Sequence, residues 1–283
     1  MAQRFYPTNF SGVPFIPATQ GSWSTTIGQN RRMYAHKEQA AEVETGAGFE
    51  QAFSETSATS PFDNGRFKFV GPELAAQEIS GTFNMVWGVR STQSTALAVY
   101  KAHIYVVTPT NTVRGTLLSN HAEPDDVAAH FPVHSSNEFN HPMVASAALT
   151  PVTCVLGDRI VIEWGVRTYN TTTTTASGAY VWSYNDATLI DRPADGSTTM
   201  GWSWFEFSQD IAFPPNALQV SQMRTEVVLN PAAPMMRTSH MYAEAITNPA
   251  APMMQTSQVY VEIITSPFEI PTEFHRTSII ITS

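Results

Sequence analysis

Ile79-Ser80-Gly81-Thr82-Phe83-Asn84-Met85-Val86-Trp87-Gly88-Val89 is the stretch that decides the fold class. One phase holds Ile79, Gly81, Phe83, Met85, Trp87 and Val89, and the other Ser80, Thr82, Asn84, Val86 and Gly88. Successive strand side chains point to opposite faces, so this alternation predicts a half-buried β-strand. Arg159–Arg167 repeats the pattern, with Ile160, Ile162, Trp164 and Val166 in one phase and Arg159, Glu163 and Arg167 in the other. Ala96–Val107, Ala179–Tyr184, Trp202–Phe207 and the shorter Arg66–Val70 read as further strands. Turn chemistry separates them, as in Asp63-Asn64-Gly65, Thr108-Pro109-Thr110-Asn111, Leu156-Gly157-Asp158 and Pro193-Ala194-Asp195-Gly196. The expected fold is all-β, an antiparallel β-sandwich of jelly-roll or lectin-like type over residues 61–215.

Before that block, residues 1–60 show little periodicity, and the helix-like window Tyr34–Glu44 is too short to stand alone. Phe5, Tyr6, Phe10, Phe15, Ile16 and Trp23 nevertheless supply apolar anchors that a disordered tail would lack. An extended N-terminal arm is expected, lying on its own domain or on a neighbour.

After it, residues 216–283 repeat with an 18-residue stride. Ser221–Asn230 leads into Pro231-Ala232-Ala233-Pro234-Met235-Met236, and Ser239–Asn248 leads into an identical Pro249-Ala250-Ala251-Pro252-Met253-Met254. Ser257–Ser266 is a third copy, and Arg276-Thr277-Ser278-Ile279-Ile280-Ile281 a truncated fourth. Each copy alternates like a strand with one apolar side, and the proline connectors cannot join a ladder. Three or four such strands cannot cover their apolar side alone, so the sandwich or other chains must cover it. Met223, Val227, Met241, Tyr242, Val259, Val261 and Ile263 are the candidate interface residues. The connectors are long enough for successive strands to run either parallel or antiparallel.

Composition narrows the function. Of 283 residues only 14% are charged, well under the roughly 25% usual for soluble domains, and the net charge is −9. No basic run exceeds Arg31–Arg32, which argues against nucleic acid as a partner. No apolar run reaches membrane-spanning length, and Met1–Pro7 carries no apolar leader segment. The single cysteine, Cys154, excludes an internal disulfide framework and reads as a buried inert thiol, in keeping with folding in a cytoplasm.

The chemistry-bearing residues are few. His121, His130, His134 and His141 share a span with Glu123, Asp125, Asp126 and Glu138. Of the histidines only His130 and His134 are closely spaced, and the prolines of the span favour an exposed polar loop over a metal site. Asp191 and Asp195 could offer oxygens to calcium, although solvated turn aspartates are the simpler reading. No catalytic motif is present and no enzyme or cofactor is expected. Trp164, Tyr169, Tyr180, Trp182, Tyr184, Trp202 and Trp204 could line a sugar-binding face, but their phase favours packing within the sandwich.

Four segments carry a family likeness: Ala76–Thr82, Val113–Leu118, Gly157–Arg167 and Trp204–Ser208. In order and spacing they resemble a sandwich domain in virion structural proteins of tailed bacteriophages. Those proteins often carry a tail of Ser-Gln-x-x-x-Glu-Val followed by a proline linker, matched here by Ser257-Gln258-Val259-Tyr260-Val261-Glu262-Ile263. The likeness spans about 77–265. It implies a virion component made in the host cytoplasm. The expected role is a capsid decoration or cement protein, a trimer that holds neighbouring copies and the major capsid protein or other virion proteins by its arm and C-terminal strands. A receptor- or glycan-binding tail or fibre protein is the alternative, as is a head–tail or tail adaptor.

Overall fold

The structure, a computed structural model, describes residues 2–43, 50–55, 61–92, 96–134, 137–170, 176–181, 190–214, 225–226, 240–241, 258–261 and 277–280. The chain divides into two compact units, Met1–Pro215 and Asn216–Ser283. No helix among the described residues is long and apolar enough to cross a membrane.

The first unit is an all-β, sandwich-like fold. Its elements are β1 (Gln3–Pro7), β2 (Gln29–Tyr34), α1 (Lys37–Val43), β3 (Glu50–Glu55), β4 (Phe62–Glu73), β5 (Gln77–Ile79), β6 (Thr82–Ser91) and β7 (Ala96–Val107). There follow β8 (Val113–Ala122), β9 (Phe139–Pro142), β10 (Ala147–Ala148), β11 (Val152–Cys154), β12 (Arg159–Asn170), β13 (Ala176–Val181) and β14 (Trp204–Phe207). The main ladder runs β3-β13-β6-β14-β1-β2-β4-β12-β7-β8, with β9 and β10 also on β6. It turns a corner at β1: Gln3–Phe5 pair with β14, while Tyr6 and Pro7 pair with Tyr34 and Met33 of β2. The strands on the two sides of that corner form two layers, a β6 layer and a β12 layer, packed face to face.

The central core fills the space between them. Phe83, Met85, Trp87 and Val89 of β6 meet Ile160, Ile162, Trp164 and Val166 of β12. The indoles of Trp87 and Trp164 stack across the layers with centroids 4.3 Å apart and planes 15° from parallel. Phe69 bridges from β4 to both Trp87 and Phe205. Offset aromatic pairs of this kind add roughly 0.5–1.5 kcal/mol each beyond the area they bury.

Three expectations change. Ile79–Val89 is not one strand: Gly81 adopts φ +86°, which ends β5 and lets the chain re-enter as β6. Nor are β6 and β12 half-buried, since Val86, Val161 and Glu163 in their polar-side phases are also buried. The cause is the third change. Residues 2–43, expected as an extended arm on their own domain or on a neighbour, lie on their own unit and add strands to it, with β1 and β2 in the ladder and α1 over the outer side of the β6 layer. Ala40 there is buried in a second cluster with Tyr6, Val86, Trp202 and Trp204. The isolated seven-residue helix would not form in water, so this packing holds it.

In the second unit, β15 (Thr225–Glu226) pairs antiparallel with β16 (His240–Met241), and β17 (Gln258–Val261) antiparallel with β18 (Thr277–Ile280). The first repeat thus pairs with the second, and the third with the truncated fourth. Of the two layouts the connectors allow, both ladders take the antiparallel one.

Candidate functional site

The outer side of β12 carries a polar seam that the alternation pattern did not anticipate. Moving along this side, Val161, Glu163, Gly165 and Arg167 each sit between partners on β4 and β7. Val161 lies between Val70 and Tyr105, Glu163 between Lys68 and His103, and Gly165 between Gly65 and Lys101. Arg167 lies opposite Asp63. The segment between β1 and β2 crosses these rows as a strap.

The strap runs without a continuous ladder, so its backbone polar groups need other partners. The sheet's side chains supply them. Glu163 accepts hydrogen bonds from the backbone N–H groups of Gln20 (2.7 Å) and Gly21 (2.8 Å) and from Trp23 Nε1 (2.8 Å). Lys68 Nζ donates to the Pro17 carbonyl at 2.6 Å, Tyr105 Oη to that of Ala18 at 2.9 Å, and Lys101 Nζ to that of Ser22. Val13 and Phe15 pack on Val70, Tyr105, Val107 and Val161. A methyl group on Gly65 or Gly165 would meet the Trp23 ring at 2.8 Å, so these two glycines make the recess in which Trp23 lies.

Charge is balanced locally. Asp63 accepts two bonds from Arg167, at 2.6 and 2.9 Å, and one from Lys101 at 2.6 Å. Burial pushes the Asp63 carboxyl up, but these cationic hydrogen bonds outweigh it and hold it below the usual carboxylate range. Burial lowers Lys68 and His103, each against an opposing pull from Glu163. Glu163, Lys68, Tyr105 and Lys101 thus fasten the strap, while Arg167 and Asp63 tie β12 to β4 beneath it.

The metal candidates do not converge. His130 Nε2 lies 2.8 Å from Asp125 Oδ1, whereas His134 Nδ1 accepts the Asn137 N–H at 2.7 Å. Asp191 takes Arg4 at 2.6 Å and Lys37 at 3.2 Å, and Asp195 accepts the Ser197 N–H at 2.9 Å. Among the described residues, no three His, Cys, Asp or Glu side chains gather as a ligand set. The span from His121 to His141 is also not wholly an exposed loop, because Glu123 and His141 are buried. Glu123 Oε1 accepts the Val144 N–H at 2.6 Å, and Tyr100 Oη donates to the His141 carbonyl at 2.7 Å. Cys154 is buried as well, and burial pushes its thiol up to about 11.

Trp164, Trp202 and Trp204 are buried, but in two places: Trp164 in the central core, the other two under α1. Tyr169 is half-buried and Tyr180 lies in β13, while Trp182 and Tyr184 lie outside the described residues. Of the interface candidates, Met241, Val259 and Val261 occupy paired strands of the second unit. Met223, Val227, Tyr242 and Ile263 lie outside the described residues.

Sequence reasoning missed one further place, on the outer side of the β6 layer. Arg192 is almost fully buried and its Nη1 donates to Asn140 Oδ1 at 2.8 Å. A cleft of about 300 Å³ opens beside it, lined by Asn137, Glu138, Arg192, Thr198 and Met200. No sequence period marks it, because its walls come from segments about fifty residues apart. No protein-family model matches the chain, and no curated protein matches it.

Proposed function

We propose that the chain is a structural protein of a tailed-bacteriophage particle, a capsid decoration or cement subunit. It joins copies of itself, as a trimer, and binds the major capsid protein through its C-terminal strands. The observation that carries this reading is the pairing of the repeats with one another. Thr225 stands opposite Met241 and Glu226 opposite His240; Val259 stands opposite Ile279 and Val261 opposite Thr277. Directly opposed residues share a face, so the first register sets Thr225 and Met241, both of the apolar phase, side by side, and the second sets Val259 beside Ile279. A two-stranded ladder is marginal in water. Since one repeat already pairs with another within the chain, a repeat of a second copy offers the same edge and the same apolar phase. The low charge and the family likeness of residues 77–265 support the same reading.

The strap changes one part of the expected mechanism. Fastened to its own β12 layer, the N-terminal segment supports the domain, which leaves the C-terminal repeats as the joining element. Light scattering of the full chain should give a multimer, and a chain ending at Pro215 should keep a cooperative thermal transition while losing that assembly. A full-length monomer would overturn the proposal. Copy number per particle then separates capsid decoration from a tail or adaptor position.

A further inference from the structure

At the end of the β12 layer where β7 turns into β8 and β11 into β12, apolar side chains stand in solvent. Ile16 is 66% exposed, Leu156 64%, Val155 44% and Val113 37%. They lie together. Asn111 Nδ2 in the β7–β8 turn donates to the Ile16 carbonyl at 3.0 Å, Val113 opens β8 opposite Val107, and a Cβ on Gly157 would meet the Pro109 ring at 3.1 Å. Folding of the domain does not call for them. Val155 and Leu156 begin a tight turn closed by the Asp158 N–H on the Val155 carbonyl at 3.1 Å, a place that ordinarily takes Gly, Pro, Asn, Asp or Ser. The charges next to them in the chain are already paired. Arg114 meets both oxygens of the buried Asp158 carboxylate, and Arg159 donates to Glu73 at 2.6 Å. A covering surface would therefore take apolar groups out of water without stranding a charge.

The path of the chain indicates what covers this end. The Gln77 side chain brackets Ala212, accepting from its N–H at 3.0 Å and donating to its carbonyl at 2.7 Å, and the Ala75 N–H donates to the same carbonyl at 3.0 Å. Leu74, the residue before Ala75, is bonded to the apolar turn: its N–H donates to the Asp158 carbonyl at 2.8 Å, and its carbonyl accepts the Gly157 N–H at 3.0 Å. The chain thus leaves the first unit beside Leu156, and the first repeat starts at Ser221, nine residues on from Ala212. Copies joined through their repeats are tethered at this end. Tethering by a short link raises the local concentration of one such end around another to about the millimolar range. A patch too small to hold two free domains together is occupied under those conditions. We propose that the apolar end around Leu156 packs against the same end of a second copy of the chain. The inference rests on the assembly reading above, in which the repeats join the copies.

The test follows the full chain by analytical ultracentrifugation over a dilution series. Leu156→Asp should raise the concentration at which the multimer dissociates by roughly tenfold or more, and Ile16→Asp, from a different segment of the same end, should do likewise. Leu156→Met keeps the apolar bulk and should leave that concentration unchanged. So should Val127→Asp, which puts the same charge on an 85% exposed side chain in the segment beyond the other end of β8. All six tryptophans lie in the first unit, so an unchanged emission spectrum shows that each variant has kept its domain. A multimeric parent that Leu156→Asp and Ile16→Asp leave equally tight, or that Val127→Asp loosens as much, would overturn this contact while the assembly reading stands. A monomeric parent would overturn both. An intact Leu156→Asp multimer that no longer binds particles lacking the protein would assign this end to the capsid surface, and would overturn the contact between copies.

Discussion

Glu163 is the residue on which the strap depends most. It is wholly buried, and its carboxylate accepts from two backbone amides and one indole of the same segment. Glu163→Gln keeps the shape but removes the charge and turns an acceptor into a donor facing donors. The expected cost is about 2–3 kcal/mol in urea unfolding, with a change in tryptophan fluorescence as Trp23 loosens. A variant as stable as the parent would show that the strap is held by its apolar contacts alone. Glu123 makes a separate prediction in pH. It is 2% exposed, and burial raises its carboxyl from 4.5 to about 7, against the backbone hydrogen bonds it accepts. The folded state thus holds this proton more tightly than the unfolded chain does. Its contribution to stability is complete below pH 4.5 and is lost as pH rises toward 7. The difference in unfolding free energy between parent and Glu123→Gln should therefore change by on the order of 3 kcal/mol across that window. His103, His121 and His141 are lowered by burial and act oppositely, losing stability as pH falls below 6.5, but they are common to both proteins and cancel. A difference that stays flat with pH would remove Glu123 from this role.

At the scale of elements, α1 and the proline connectors give the clearest tests. Trp202 and Trp204 lie 1% and 3% exposed beneath α1, outside the central core. Truncating either to Ala should cost roughly 3–5 kcal/mol, and Trp204 also gives up its bond to the Arg192 carbonyl. If either change left the melting temperature untouched, the tryptophans would not be packing residues of this cluster. The alternation of Trp202–Phe207 made burial legible but not its side: Trp204 opposes Val86 on the outer side, while Phe205 opposes Met85 on the inner one. For the connectors, the antiparallel pairing of β15 and β16 means that deleting Pro231–Met236 only shortens a hairpin loop. Assembly measured by light scattering should survive that deletion. Loss of assembly would show that the prolines or Met235 and Met236 themselves make contacts.

For the whole molecule, local periodicity and internal repetition were sufficient to give an all-β chain, strands at β4, β6, β7, β12 and β14, and modular C-terminal strands. These are legible because a strand's period and a proline's missing donor act within a few residues of chain. The burial of Glu163, the fastening of residues 8–28 and the cleft at Arg192 were not legible. Each depends on groups far apart in sequence, such as Gln20 with Glu163 or Arg192 with Asn140. Alternation tells which residues share a side of a strand; it does not tell what will cover that side. Tertiary structure decided that the polar side of β12 faces a segment whose backbone needs hydrogen-bond partners. A charged residue is stable there because the strap's unpaired amides and indole N–H solvate it in place of water.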